Sequence, residues 1–285
     1  MSKISCISSV KRNNDGSRPD PLPQAVFAAF CGDCSGSMES IKKASANGCY
    51  EWVKELTSSS INNNQDGNIS VTFFDTEMYK RMENVQFKDV VLSQKEVNDW
   101  AKPRGMTKLY DSATSSVKNL HKQVVKYREK HTKNGIVPNV VGIFALNTDG
   151  EDNRSCLCNK NTLKSAIKEA REDGVKCFFL AANMNAEVVG ESFGFNPRQS
   201  LTMDTNEDNA GIAFRSCTSE MLRTASTGQT RAIPENLRQS SCPSQFYAPS
   251  PSVTSPSASP SASPSHFPPS RLLSNRQRMY LRYNC

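Results

Sequence analysis

Asp33, Ser35 and Ser37 carry the side chains of this chain best suited to chemistry. They sit in Asp33-Cys34-Ser35-Gly36-Ser37, between the apolar run 25–30 and a stretch with helical spacing. A buried strand that ends in a carboxylate and two hydroxyls places oxygen donors at the carboxyl edge of a sheet. That edge is where open α/β folds bind ligands. Small, hard oxygen donors suit a divalent cation of the alkaline-earth kind better than a soft metal. Two later segments fall where the same edge can use them. Gly105-Met106-Thr107-Lys108-Leu109 opens a helix containing Val117 and Leu120, which puts the Thr107 hydroxyl at a helix entrance. Asn147-Thr148-Asp149-Gly150 follows the apolar run 140–146, which puts the Asp149 carboxylate beside a neighbouring strand end. Three loops thus bring two carboxylates and three hydroxyls to one edge.

The elements that must position these groups are legible as periodicities. Apolar strand candidates recur at 25–30, 69–74, 85–91, 140–146, 177–181 and 201–203. Between most of them lie helical spacings. Cys49, Trp52, Val53 and Leu56 follow i, i+3, i+4, i+7, as do Leu163, Ala166, Ile167 and Ala170, while Ala113, Val117, Leu120 and Val124 step by four, three and four. Alternating strands and amphipathic helices predict a three-layer, doubly wound α/β fold with a mostly parallel sheet. One pair breaks the alternation. The run 69–74 and a following strand within 79–91 are separated only by Asp75-Thr76-Glu77 and their neighbours, too few residues for a crossover helix. An antiparallel strand at the sheet edge is therefore expected.

Taken singly, each candidate ligand has an ordinary explanation. Ser35, Ser37 and Thr107 are residue types that cap helices, and Asp149-Gly150 reads equally as a turn. Asp111 reads as a first-turn acid favoured by the helix dipole, and Glu151 and Asp152 as solvated loop acids. The joint set is harder to explain that way. Asp-x-Ser-x-Ser, then Thr, then Asp, in this order and at these strand ends, resembles the metal-ion-dependent adhesion site of von Willebrand factor type A domains. The resemblance spans roughly residues 23–223 and rests on Asp33-Cys34-Ser35-Gly36-Ser37-Met38, Thr107 and Thr148-Asp149-Gly150-Glu151-Asp152-Asn153. It implies that Asp33, Ser35, Ser37, Thr107 and Asp149 hold a Mg²⁺, with Mn²⁺ or Ca²⁺ as alternatives. In that family the two serines bind the ion directly, the threonine directly or through water, and the aspartates directly or through bridging waters. The sixth position is left for a Glu or Asp carboxylate from a partner protein. Mainly neutral hydroxyl ligands leave such an ion short of negative charge, which favours an incoming carboxylate. Met106, where a second glycine is common, and Asn147, before Thr-Asp-Gly, are mild departures that remove no ligand.

Composition bounds the rest. The 285 residues carry a formal net charge of +7, but the excess lies at the ends. From Thr224 onward there are six arginines, no lysines and one acid, Glu235, and residues 1–22 add two more net positive charges. The core between them is close to neutral, so no nucleic-acid binding is expected of it. Residues 1–22 read as a flexible lead-in, 23–223 as the globular domain, and 224–285 as a disordered, basic Ser/Pro-rich tail with Ser-Pro at Ser250, Ser255, Ser259 and Ser263. Those dipeptides suit proline-directed phosphorylation, while a passive spacer is the plainer alternative. No apolar leader follows Met1 and no run approaches the roughly 20 apolar residues of a membrane helix. With several of the ten cysteines among apolar neighbours, a reducing, intracellular and cytoplasmic setting is the expectation.

Two catalytic alternatives arise. Cys31-Gly32-Asp33-Cys34 is a C-x-x-C at a strand-to-helix junction, where a helix N-terminus would depress the Cys34 pKa and support thiol–disulfide exchange. Together with Cys156 and Cys158 it also offers a loose soft-metal set. Serine hydrolysis lacks a base, because His121 and His131 fall in or beside a polar helix and His266 in the tail. No phosphate-binding loop of the Gly-x-x-x-x-Gly-Lys-Ser/Thr type is present.

Overall fold

The computed structural model describes residues 22–242. The lead-in 1–21 and the Ser-Pro tract and remaining tail at 243–285, with the expectations attached to them, lie outside the described residues. Six strands form one sheet: β1 (Ala25–Asp33), β2 (Asp66–Phe74), β3 (Met78–Gln86), β4 (Val140–Thr148), β5 (Val175–Ala182) and β6 (Ser200–Met203). Their order across the sheet is β3-β2-β1-β4-β5-β6, and every neighbouring pair is parallel except β2 with β3. The expected antiparallel edge strand is therefore present, joined through the short turn after Phe74. Its pairing with β2 is interrupted by register shifts on either side of Val71.

Side-chain alternation along β1 shows why the fold has three layers. Val26, Ala28 and Phe30 face one core, while Ala25, Phe27, Ala29 and Cys31 face the other. Both faces are buried, so the strand reads as a continuous apolar run instead of an alternating one. The first core is closed by α1 (Lys42–Asn62), α2 (Gln94–Trp100) and α6 (Glu207–Thr227). The second is closed by α3 (Leu109–His131), α4 (Lys160–Glu172) and α5 (Ala186–Ser192). All the helical-period residues named above on α1, α3 and α4 are buried.

Two details differ from the sequence reading. The strand expected over 85–91 ends at Gln86. Phe87 turns into the core from a short 3₁₀ turn, Phe87–Asp89, and Val91 is left 91% exposed. Burying one aromatic ring outweighs extending an edge strand past the core. The periodic signal weakens after Arg223, yet α6 continues to Thr227, ends at the left-handed Gly228, and is followed by α7 (Glu235–Ser241). Polar side chains, not an apolar stripe, tie α7 down. Ser241 Oγ donates to the Thr202 carbonyl at 2.9 Å, Asp204 N donates to the Ser241 carbonyl at 3.0 Å, and Arg238 is 6% exposed. Such anchoring is invisible to hydrophobic periodicity.

Candidate metal centre

β1 and β4 are parallel neighbours in register, with Gly32 opposite Asn147, so their carboxyl ends deliver Asp33 and the 148–150 turn to the same place. Asp33 is 1% exposed. One carboxylate oxygen accepts from its own loop, Ser35 N at 2.8 Å, and the other from Thr148 Oγ1 on β4 at 2.6 Å. The Ser35 and Ser37 hydroxyls lie 3.1 Å apart, and Ser37 Oγ donates to Asp149 Oδ1 at 2.8 Å. Thr107 closes the group. A Cβ built on Gly150 would lie 3.7 Å from Thr107 Oγ1 and 3.8 Å from Ser37 Oγ. Asp33, Ser35, Ser37, Thr107 and Asp149 are thus gathered at one edge from three loops, with Gly150 facing two of the hydroxyls.

Ordinary capping does not account for the hydroxyls. Ser35 precedes the 3₁₀ turn Gly36–Ile41 but its side chain makes no capping hydrogen bond, and the residue before α3 is Lys108, also without one. The Thr107 loop is laced to the Asp33 loop through the backbone, with Arg104 N donating to the Cys34 carbonyl at 2.9 Å and Gly36 N to the Gly105 carbonyl at 3.3 Å. Met106 is 45% exposed and points no side chain into the core.

The electrostatics suit a cation. Burial pushes the Asp33 carboxyl up to about 6. The hydrogen bonds from Thr148 and Ser35 oppose the rise, and the Asp149 charge adds to it. Burial also raises Asp149, against the Ser37 hydrogen bond. The cations flanking Thr107 are committed elsewhere: Arg104 Nε lies 2.6 Å from Asp75 Oδ2, and Lys108 Nζ lies 3.6 Å from Glu77 Oε2. Two buried carboxylates supported only by neutral donors, beside three hydroxyls, form a hard-oxygen set that fits a divalent cation. Among the described residues no group of three or more His, Cys, Asp or Glu comes together, so the fit rests on the mixed carboxylate–hydroxyl set.

This burial has a pH signature. A carboxyl whose folded pKa lies above its unfolded value stabilises the fold fully below about pH 4, and that stabilisation is lost as pH rises through about 6. In chelator, the wild type is expected to lose on the order of 3 kcal/mol relative to Asp33→Asn between pH 4 and pH 7. Urea denaturation of both at the two pH values checks this. A difference that stays flat would show that Asp33 does not carry the strain.

The thiol alternative meets the opposite of what it needs. Cys31 and Cys34 are buried free cysteines, and burial pushes both up to about 12; a Ser116 hydrogen bond opposes the rise at Cys31 and Asp33 adds to it, while Asp75 and Asp33 add to it at Cys34. The helix-terminus activation expected for Cys34 is overridden, and the thiolate required for exchange is suppressed. Cys156 is exposed and Cys158 partly so, on the loop after Asp149, and no metal set joins them to the buried pair. His121 pairs with Asp173 at the opposite edge of the sheet, and His131 stacks on Tyr127, so neither serves Ser35 or Ser37 as a base.

Sequence reasoning missed two contributors. Thr148, wholly buried, fixes Asp33 through the 2.6 Å hydrogen bond. A Thr directly before a site aspartate at a strand end is a signal available in the sequence. Asp111 is not a solvated first-turn acid. It is 7% exposed, and its carboxylate accepts from the backbone N–H groups of Cys156, Leu157 and Cys158 at 3.1, 3.1 and 2.7 Å. Asp152 likewise accepts from Tyr110 N at 3.1 Å, whereas Glu151 is exposed as expected.

No protein-family model and no curated protein sequence matches this chain. Among solved structures it is similar to the pilus adhesin SpaC of Lactobacillus rhamnosus GG, with 11% identity and a TM-score of 0.50 over 75% of this chain and 32% of the adhesin. The chain therefore spans about a third of the length of that adhesin. It is also similar to a von Willebrand factor type A protein of Catenulispora acidiphila (14% identity, TM-score 0.43, 72% of this chain and 43% of that one). A third likeness is to proximal thread matrix protein 1 of the mussel byssus, described with a zinc-occupied MIDAS motif (11%, TM-score 0.42, 70% and 46%). At such identities the likeness is one of fold. The strand order, the antiparallel edge and the helices on both faces are those of a von Willebrand factor A-type α/β fold. Among the described residues no helix is long and apolar enough to cross a membrane.

Proposed function

We propose that this chain is a divalent-cation-dependent protein-binding module, and not an enzyme. Asp33, Ser35, Ser37, Thr107 and Asp149 would hold the cation, with Mg²⁺ preferred and Mn²⁺ or Ca²⁺ as alternatives. The observation that carries this reading is the meeting of two buried carboxylates, paired with no cationic side chain, and three hydroxyls at the carboxyl edge of β1 and β4. When bound, the cation would supply an electrophilic position for a Glu or Asp carboxylate of a partner protein. Thr148 holds the Asp33 carboxylate in orientation, and the Ser35–Ser37–Asp149 hydrogen bonds hold the hydroxyls in place ahead of the ion. The near-neutral core leaves nucleic acid without an electrostatic footprint. The buried, unbridged thiols of Cys31, Cys34, Cys49, Cys177 and Cys217 accord with a reducing, intracellular setting.

Thermal denaturation during a Mg²⁺ titration tests the site. A ligand at about 100 times its Kd stabilises the folded state by about 2.7 kcal/mol. The wild type is expected to shift accordingly and Asp33→Ala to lose the shift. Equal shifts in both would sink the assignment. Partner capture in Mg²⁺ that persists in chelator would remove the cation from recognition.

A further inference from the structure

The loop after Asp149 is held by an unusual means. Between β4 and α4, residues 149–159 adopt neither helix nor strand. Leu157, the one large apolar side chain in the segment, is 87% exposed. No buried side chain anchors residues 151–158 to the core. Their hydrogen bonds to the rest of the described chain go to Thr107–Asp111, and there are eight of them. Thr107 N donates to Asn153 Oδ1 at 2.7 Å, while Asn153 N and Arg154 N both donate to the Thr107 carbonyl at 3.1 Å. Tyr110 N donates to Asp152 Oδ1 at 3.1 Å and Asp111 N to Ser155 Oγ at 2.9 Å, so the loop caps the first turn of α3. Asp111 returns the favour with the three N–H contacts from Cys156, Leu157 and Cys158.

We infer that Asp111 and Asn153 are positioning residues for the cation site: they lock the Thr107 loop and the Asp149 loop into one unit, so that Thr107 Oγ1 and Asp149 are presented together. The inference rests on the metal reading of Asp33, Ser35, Ser37, Thr107 and Asp149. Asp111 is the stronger member, because a buried carboxylate accepting three N–H groups cannot be replaced by water without freeing the whole segment. Residues that orient metal ligands from behind commonly change affinity by 10–100-fold when removed.

The test is calorimetric titration of MgCl₂, and separately MnCl₂, into the wild type, Asp111→Asn, Asp111→Ala, Asn153→Ala and the Asp111→Ala/Asn153→Ala double variant. Amide hydrogen exchange of each metal-free protein accompanies it. Asp111→Ala is expected to weaken Mg²⁺ binding about tenfold or more. Asp111→Asn, which keeps one acceptor oxygen and the side-chain shape, should recover part of the loss. The double variant should lose no more than the larger single loss, because one lock can be opened only once. In the metal-free Asp111→Ala protein, exchange should quicken at residues 105–109 together with 150–158. Unchanged affinity, additive losses, or exchange quickened only at 156–158 would each overturn the inference. If the wild type binds neither ion, the metal reading fails, and the exchange pattern alone decides whether the lock exists. If the alanine variant does not fold, Asp111→Asn carries both readouts.

Discussion

Replacing Gly67 with alanine is expected to cost at least about 4 kcal/mol, enough to unfold a typical domain of marginal stability. Gly67 lies on β2 opposite Val26 of β1, at φ +125°, a region side-chain-bearing residues rarely adopt. An added Cβ would sit 1.7 Å from the Val26 carbonyl oxygen and 2.7 Å from its carbonyl carbon. The obstacle is backbone of the central strand, so no rotamer change relieves it. β1 carries Asp33 at its far end, and a displaced β1 would also move the carboxylate relative to Thr148. Urea denaturation should show a large fall in midpoint, with any residual Mg²⁺ response lost. A midpoint near that of the wild type would mean that β1 and β2 can separate at this point at little cost.

The second large effect is expected at Arg238, in a region where hydrophobic pattern offers no cue. Its guanidinium is 6% exposed and reaches the carbonyls of Ile233, Pro197, Arg198 and Ser200 at 3.0–3.2 Å or, for Ser200, 2.8 Å. It also pairs with Glu187 Oε1 at 2.6 Å. Five acceptors converge on one planar donor fork, which binds α7 to the turn leading into β6, to the first residue of β6 and to the start of α5. Truncation to alanine strands several of these acceptors away from water, and a loss of about 3 kcal/mol is expected. Lysine should not restore it, since a single ammonium cannot span acceptors spread across a guanidinium plane. Chemical denaturation of Arg238→Ala and Arg238→Lys checks both statements. A lysine variant as stable as the wild type would reduce the role of Arg238 to its charge.

These two positions illustrate where sequence reasoning reaches and where it stops. Strands β1, β4 and β5 are legible because burial on both faces leaves continuous apolar runs, β2 because Ile69, Val71 and Phe73 alternate with Ser70 and Thr72, and α1, α3 and α4 because one face packs on the sheet. The β2–β3 hairpin followed from a connection too short for a crossover. The five candidate ligands were legible because they sit at strand ends and loop starts that those elements define. What was not legible depends on contacts far apart in sequence. Asp111 looks like any acid in a first helical turn, since its partners lie 45–47 residues away. α7 has little apolar surface and is held by Arg238, whose acceptors are backbone carbonyls without any sequence signature. The C-x-x-C alternative could not be decided from the sequence for a related reason. Thiol reactivity depends on exposure, and the spacing of Cys31 and Cys34 carries no information about burial.

The treatment of the two sheet margins bears on the behaviour of the molecule at high concentration. Lys80, Arg81 and Glu83 lie along β3, whose pairing is irregular, and the opposite margin is a four-residue strand overlaid by α7. Neither margin offers another chain a long, flat row of free amide and carbonyl groups, the template on which cross-β growth begins. A sheet this rich in Val, Ile and Phe would otherwise be a seed for fibrils. The cover of the β6 margin depends on α7 staying in place, and Arg238 is the side chain that ties it there.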